Sequence, residues 1–347
     1  MTIARVVVVC ASVPLAAGCG VTRATTTTAR TTTIASPCAT VAGVAAWSPN
    51  GRRFAFIGDA GGQSAICVAD SVGGRAEPLR NTICVARSYC FSGSPTELYW
   101  VRPEEFLYGD PTRGILLVKS GRRPLRLGPL PSKSLGRFAV DAAGDRVAYG
   151  ISTGSSARGL VEVIQVPSGK LVGRLGPSQP DYSFAPTLSP DGSKVAFTGT
   201  SGHVWLALAT GHRLRDLKQC AGDPLWSPRG PWIVCRRGLA GLSLMLVSLS
   251  SGRTTTIVRG IGPANGVREL WGWSPDGKHV VFVASHCACK LDVVDVRTDR
   301  VHELALAGVV TDVAWSPDSR RLLVTRGCEL WLISADRGRP RRLFSCS

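Results

Sequence analysis

Trp273-Ser274-Pro275-Asp276-Gly277 leads into Lys278-His279-Val280-Val281-Phe282-Val283. Proline sets φ for the second position of a turn, an aspartate can bond back to the backbone, and glycine accepts positive φ. The short apolar run that follows reads as a strand. The same text recurs along the chain. Trp47-Ser48-Pro49-Asn50-Gly51 precedes RRFAFIG, and Leu188-Ser189-Pro190-Asp191-Gly192 precedes SKVAFTG. Trp226-Ser227-Pro228-Arg229-Gly230 precedes PWIVCRR, and Trp315-Ser316-Pro317-Asp318-Ser319 precedes RRLLVTR. Two eroded copies fill the gap, Trp100-Val101-Arg102-Pro103-Glu104 before EFLYG and Asp141-Ala142-Ala143-Gly144-Asp145 before RVAYG.

Taken at residues 48, 102, 142, 189, 227, 274 and 316, the copies recur every 38 to 54 residues. That is the spacing of propeller repeats, in which one unit cannot bury its own faces and must stack on neighbours. An apolar stretch precedes each turn, as in VAGVAAW and VVTDVAW. A third strand follows later in each unit, as in HVWLALATG, and a shorter fourth after it, as in HRLRDL. The expected fold is all-β, a seven-bladed β-propeller of four-stranded antiparallel blades, with six or eight blades as the alternatives.

The Trp-Ser-Pro-Asp-Gly unit resembles the TolB-like, WD40-like (PD40) propeller repeat of bacterial envelope proteins. The resemblance spans roughly residues 41–344. It implies protein–protein contact at the cell envelope, and in some members the propeller gates a peptidase domain. The second and third units depart from the repeat text, and the small N-terminal domain of TolB itself has no counterpart here.

Apolar residues make up 44 % of the 347 and charged residues 19 %, which excludes a disordered chain. The formal net charge is +17, from 41 basic and 24 acidic residues. A field of that sign favours anionic surfaces, but no basic run interleaved with aromatics appears, so nucleic acid is not an expected partner.

Residues 1–18 read as an export signal, with one arginine, an uncharged run from Val6 to Ala17, and small residues at the end. Ala16-Ala17-Gly18-Cys19 resembles a lipoprotein box, which makes Cys19 the expected lipidation site. Residues 19–37 read as a Thr-rich tether and 38–347 as a single propeller. The expected location is outside the cytoplasm, lipid-anchored at the cell membrane, with plain secretion as the alternative. The other cysteines agree with export. Apart from Cys10 in the signal they are Cys38, Cys67, Cys84, Cys90, Cys220, Cys235, Cys287, Cys289, Cys328 and Cys346, all disulfide candidates. Cys84–Cys90 and Cys220–Cys235 are the plausible local pairs, and Cys346 is placed to fasten the last strand to Cys328 or Cys38.

Chemistry is sparse in the text. Gly150-Ile151-Ser152-Thr153-Gly154 matches a nucleophile elbow in letters only, since no helix follows it. His286-Cys287-Ala288-Cys289 is the one metal-like group, and its spacing fits disulfides better than a closed metal site. The remaining histidines are scattered and expected at the surface. No catalytic residue, cofactor or metal is assigned. The recurring Ser48, Pro49, Asn50, Gly51, Ser189, Pro190, Asp191, Gly192, Ser227, Pro228, Gly230, Ser274, Pro275, Asp276, Gly277, Ser316, Pro317 and Asp318 read as structural turn residues. Trp47, Trp226, Trp273 and Trp315 read as packing at blade junctions. The expected function is a non-catalytic, monomeric module binding an envelope protein, peptide or glycan, its face lying near Cys84–Thr96 and Gly150–Gly159. The alternative is a propeller-type hydrolase or lyase with its active site in the central channel.

Overall fold

The computed structural model describes residues 38, 41–60, 63–79, 97–110, 114–128, 138–152, 159–175, 184–199, 202–237, 242–261, 271–283, 290–306, 308–336 and 339–345. They lie in one compact unit, Ala35–Ser347. Cys19, Cys84, Cys90, Cys287, Cys289 and Cys346, and most of the two expected binding loops, fall outside the described residues.

The described chain is all β. The first sheet runs β1 (Val41–Trp47), β2 (Arg53–Ala60), β3 (Gln63–Asp70), β4 (Glu77–Pro78). The second runs β5 (Leu98–Arg102), β6 (Glu105–Asp110), β7 (Gly114–Lys119), β8 (Leu125–Arg126). The third runs β9 (Phe138–Val140), β10 (Arg146–Ser152), β11 (Gly159–Gln165), β12 (Leu171–Leu175). The fourth is larger and takes in β13 (Phe184–Leu188), β14 (Lys194–Thr198), β15 (His203–Leu208), β16 (Arg213–Trp226), β17 (Trp232–Arg237), β18 (Leu242–Ser248) and β19 (Thr254–Ile261). The fifth runs β20 (Trp271–Trp273), β21 (His279–Val283), β22 (Leu291–Asp295), β23 (Val301–Leu304). The last runs β24 (Asp312–Trp315), β25 (Arg321–Arg326), β26 (Glu329–Ser334), β27 (Arg341–Phe344). Every pairing is antiparallel between consecutive strands.

This corrects the expected architecture. The fold is propeller-like, but it holds five four-stranded sheets and one seven-stranded, curled sheet instead of seven separate blades. The reason lies in β16. Its first half pairs with β15, from Arg213↔Ala207 to Leu217↔Val204. Its second half pairs with β17, at Leu225↔Val234 and Trp226↔Ile233. One strand of 14 residues therefore serves two units. Gly222, at φ +70°, carries the chain through the register shift between the halves.

The repeat text builds the turns as its chemistry requires. Ser48 Oγ accepts from Arg53 N at 2.9 Å, and its hydroxyl faces Asn50 Oδ1 at 2.9 Å. Ser189 Oγ donates to Asp191 at 2.5 Å and Ser274 Oγ to Asp276 at 2.6 Å. Ser316 Oγ donates to Asp318 at 2.5 Å. Ser227 makes the turn without an acid, donating to Arg229 O at 2.9 Å. In the third unit Asp141 replaces the serine, its Oδ1 accepting from Asp145 N at 2.7 Å and Arg146 N at 3.1 Å. The turn thus starts on Asp141, one residue before the position read from the sequence. The glycine is needed twice over at Gly192. Its φ is +66°, and a Cβ there would meet Asp141 Oδ2 of the preceding unit at 2.6 Å.

The core lies between sheets. Phe54 and Phe56 of the first sheet pack on Phe344 of the last, with Phe56 and Phe344 4.9 Å apart. Consecutive sheets meet in the same way, and β1 meets β24, so the array closes into a ring. Closure packs the first sheet against the last, and two of the outer edge strands, β4 and β8, are only two residues long. The buried Glu162 is matched by Tyr149 Oη, which donates to it at 2.7 Å, and by Arg174 Nε at 2.7 Å. Burial first, and then this carboxylate, push the Tyr149 phenol well above its ordinary pKa.

Two disulfides are defined. Cys38–Cys67 ties the start of the ring to β3, and Cys220–Cys235 ties β16 to β17 beside its register shift. Cys38 is therefore not joined to the C-terminal cysteine, one of the two partners considered for Cys346. Cys328 is also disulfide-bonded.

Candidate active site in the channel

The inner strands surround a cavity of about 580 Å³. Residues from β1, β5, β9, β13, β16, β20 and β24 all contribute to its wall. Its size falls in the range of small-ligand sites. Most of the wall is apolar, and Trp47, Trp100, Trp273 and Trp315 are part of it. The ionisable groups there are Glu97, Asp223 and Asp312, with the Tyr99 phenol and the Thr187 hydroxyl. No Arg, Lys or His lines it among the described residues.

The three carboxylates share one structural position. Glu97 lies three residues before Trp100, Asp223 three before Trp226, and Asp312 three before Trp315. Because those tryptophans occupy equivalent registers on the inner strands, the acids enter the channel at equivalent points of their units. Trp100 pairs with Phe106, Trp226 with Ile233 and Trp315 with Leu322. This position is a signal that the sequence carries and that a search for catalytic motifs misses, since only some units have the acid.

Two of the carboxylates are held by the scaffold. Asp312 Oδ2 accepts from Ala45 N at 3.1 Å. Glu97 Oε2 accepts from Phe138 N at 2.9 Å and stands 3.5 Å from the Tyr99 hydroxyl, which donates to Phe138 O at 2.9 Å. Asp223 differs. It is partly buried and has no hydrogen bond or ion pair among the described residues. It is the carboxylate of this wall that the described scaffold does not hold.

The tryptophans follow a second rule. Trp47 Nε1 donates to Ala314 O at 3.1 Å, Trp273 Nε1 to Leu225 O at 3.2 Å and Trp315 Nε1 to Gly272 O at 3.2 Å. Each acceptor sits on the inner strand of the preceding unit. Trp226 and Trp100 do not follow it: neither indole N–H has an acceptor among the described residues, and that of Trp100 is buried. His279, expected at the surface, is partly exposed. Its ring stacks on Trp315, with centroids 6.3 Å apart.

The residues singled out from the sequence do not assemble into this site. The Ser-Pro-Asp-Gly positions form turns, although Pro49, Pro275 and Pro317 reach the cavity wall. Ser152 ends β10, and residues 153–154 of the elbow-like text lie outside the described residues. No group of three His, Cys, Asp or Glu side chains able to hold a metal ion occurs among the described residues.

No model of a known protein family matches the chain, and no curated protein matches it. Solved structures do. An oligogalacturonate lyase in complex with manganese superposes with a TM-score of 0.61 at 14 % identity, over 83 % of this chain and 87 % of that one. An oligogalacturonate lyase from Vibrio parahaemolyticus gives 0.60 at 12 %, over 88 % and 89 %. At such identity the likeness shows the fold, one related to enzymes that act on a polysaccharide. It overturns several expectations from the sequence. Both of these structures are lyases, which sets aside the TolB-like, WD40-like identification; the lipid anchor expected at Cys19 lies outside the described residues. The reading as a non-catalytic binding module is set aside with them, and the alternative, an enzyme with its site in the channel, is the better supported. Manganese does not fit the residues present: no three-ligand group able to hold it occurs among the described residues.

Proposed function

We propose that this chain is a carbohydrate-active enzyme, a lyase or hydrolase that cleaves a glycan in its central channel. The observation that carries the reading is Asp223, an unpaired carboxylate in the wall of a ligand-sized, largely apolar cavity. The shared fold with polysaccharide-degrading enzymes supports it. Cleaving a glycosidic bond needs a proton moved to or from the reacting sugar, and a partly desolvated carboxylate is suited to that. Asp223 takes this role. Glu97 and Asp312, anchored to backbone N–H groups, fix the walls around it, and the indole rings offer apolar faces to sugar rings.

The test is turnover by the purified chain on a panel of charged and neutral oligosaccharides. Ultraviolet absorbance of an unsaturated product would report a lyase, and new reducing ends without it a hydrolase. Asp223→Asn is expected to lower kcat by about 100-fold or more with the fold intact. An Asp223→Asn protein as active as the parent, or a parent inactive on every glycan, would count against the reading.

A further inference from the structure

We propose that one end of the ring docks on an anionic phospholipid surface. The inference goes beyond the functional reading above and does not depend on it. The end in question carries the Ser-Pro-Asp-Gly turns, which join the first and second strands of each unit, and the turns that join the third and fourth. Consecutive strands are antiparallel, so both turns fall at the same end of a unit. Backbone bonds tie the two together: Ser71 N donates to Arg52 O at 2.8 Å, Leu249 N to Pro231 O at 2.8 Å and Val296 N to Lys278 O at 3.0 Å. Neighbouring units are joined there as well, Asp276 N donating to Ser319 Oγ at 3.0 Å. The turns thus make one face around one mouth of the channel, where Pro49, Pro275 and Pro317 meet the cavity wall.

Two independent features mark this face, and the first is apolar. Six large apolar side chains are exposed among the described residues, and five of them belong to this end. Val72 sits in the turn between β3 and β4, and Trp232 opens β17. Leu125, Leu171 and Val301 open the outer strands β8, β12 and β23. These five are between 36 % and 68 % exposed. The sixth, Val309, lies in the connection from β23 to β24, at the opposite end.

The second feature is charge, and it is interleaved with the first. Arg122 and Arg123 precede Leu125, and Lys170 precedes Leu171. Arg229 stands three residues before Trp232, and Arg297 and Arg300 precede Val301. All six cations are exposed, and none forms an ion pair among the described residues. Acids occur in the same turns, but several are engaged by the turn itself. Asp191 accepts from Ser189, Asp276 from Ser274, Asp318 from Ser316 and Asp295 from the N–H of Arg297.

Cations with apolar side chains between them match a lipid interface. The apolar groups enter the headgroup layer while the charges pair with anionic phosphates. A soluble polyanion would use the cations and leave Leu125 and Trp232 without a role. Docking by this end also leaves the other mouth of the channel free. Glu97 and Asp312 lie at that other end, where the inner strands β5 and β24 begin.

The experiment is cosedimentation of the full chain with vesicles of phosphatidylcholine alone and of phosphatidylcholine mixed equally with phosphatidylglycerol. The anionic vesicles are expected to bind the chain about tenfold or more tightly than the neutral ones. Arg122→Ser with Arg123→Ser should weaken binding to them by about tenfold. Leu125→Ser with Trp232→Ser should weaken it several-fold, at high salt as well as low. Arg259→Ser with Val309→Ser removes an exposed cation and an exposed apolar side chain near the opposite end and should leave binding unchanged. Every variant keeps residues 1–37, so any contribution of the apolar run from Val6 to Ala17 is common to all, and thermal melts confirm folding. Equal binding to both kinds of vesicle, turn-face variants that bind like the parent, or an equal loss in the Arg259 and Val309 variant would overturn the proposal. Loss in the arginine variant alone, with soluble polygalacturonate displacing the chain from vesicles, would mean that the face takes a soluble polyanion and would overturn it too.

Discussion

The Asp312 carboxylate accepts the backbone N–H of Ala45 at 3.1 Å, across 267 residues of sequence. It joins the inner strand of the last sheet to that of the first. Trp47 Nε1 returns the contact to Ala314 O at 3.1 Å, so the closure is laced in both directions. Similar side-chain-to-backbone bonds cross other junctions, from Phe138 N to Glu97 and from Trp226 N to Thr187 Oγ1. The inner strands are thus linked to each other by polar side chains as well as by packing. Two of the channel acids are members of this lacing, which separates their work from that of Asp223.

Breaking the closure should loosen the ring as a whole. Asp312→Ala removes the acceptor of a partly buried N–H and is expected to lower unfolding stability by about 1–3 kcal/mol. Asp312→Asn keeps an acceptor oxygen and should recover most of it. Urea unfolding of both variants checks this. Equal stability of the alanine variant and the parent would show that packing alone closes the ring.

The Cys38–Cys67 bond acts at the same seam. Both cysteines are fully buried beside Phe56 and Phe344, and the bond closes 29 residues. A crosslink of that span stabilises by about 3–4 kcal/mol through the unfolded chain. Cys38→Ala with Cys67→Ala is expected to lose about that amount, measured by denaturant unfolding under oxidising conditions.

How much of this was legible in the sequence depends on whether a feature repeats. The Ser274–Asp276 turn and the strand after it recur with the same physical duties, so the four-stranded unit is readable. The joining of two units through β16 is not, because the strand runs on through residues 218–221, across a register shift, where a break is expected. The roles of Trp47, Trp273 and Trp315 at junctions follow from their recurrence. The channel site does not, because Glu97, Asp223 and Asp312 occupy a position that other units fill with apolar residues such as Val44. Only closure of the ring brings them to one cavity. Resemblance to a repeat family misleads about function for the same reason: the repeated residues are scaffold, and the site is made of exceptions.

Acid stability should trace to the repeat turns. Hydrogen bonds from Ser189 and then Ser193 hold the Asp191 carboxyl down to about 2, from an ordinary 3.8. Asp276 and Asp318 are lowered too: burial raises each, but bonds from Ser274 and Ser316 and from following backbone N–H groups outweigh it. A carboxylate with a depressed folded-state pKa stabilises the native state fully above its unfolded value. That contribution fades as pH falls from about 3.8 toward 2. The denaturation midpoint should therefore drop through this window beyond what general charge repulsion produces. The first unit supplies the control, since Asn50 fills the same place and accepts from Arg52 N at 3.0 Å without titrating. Asp191→Asn should keep the turn and flatten its share of the pH dependence, so the difference between parent and variant midpoints narrows as pH falls through the window. Parallel curves for the two proteins across the same range would mean that the Asp191 carboxylate is not held by Ser189 in solution.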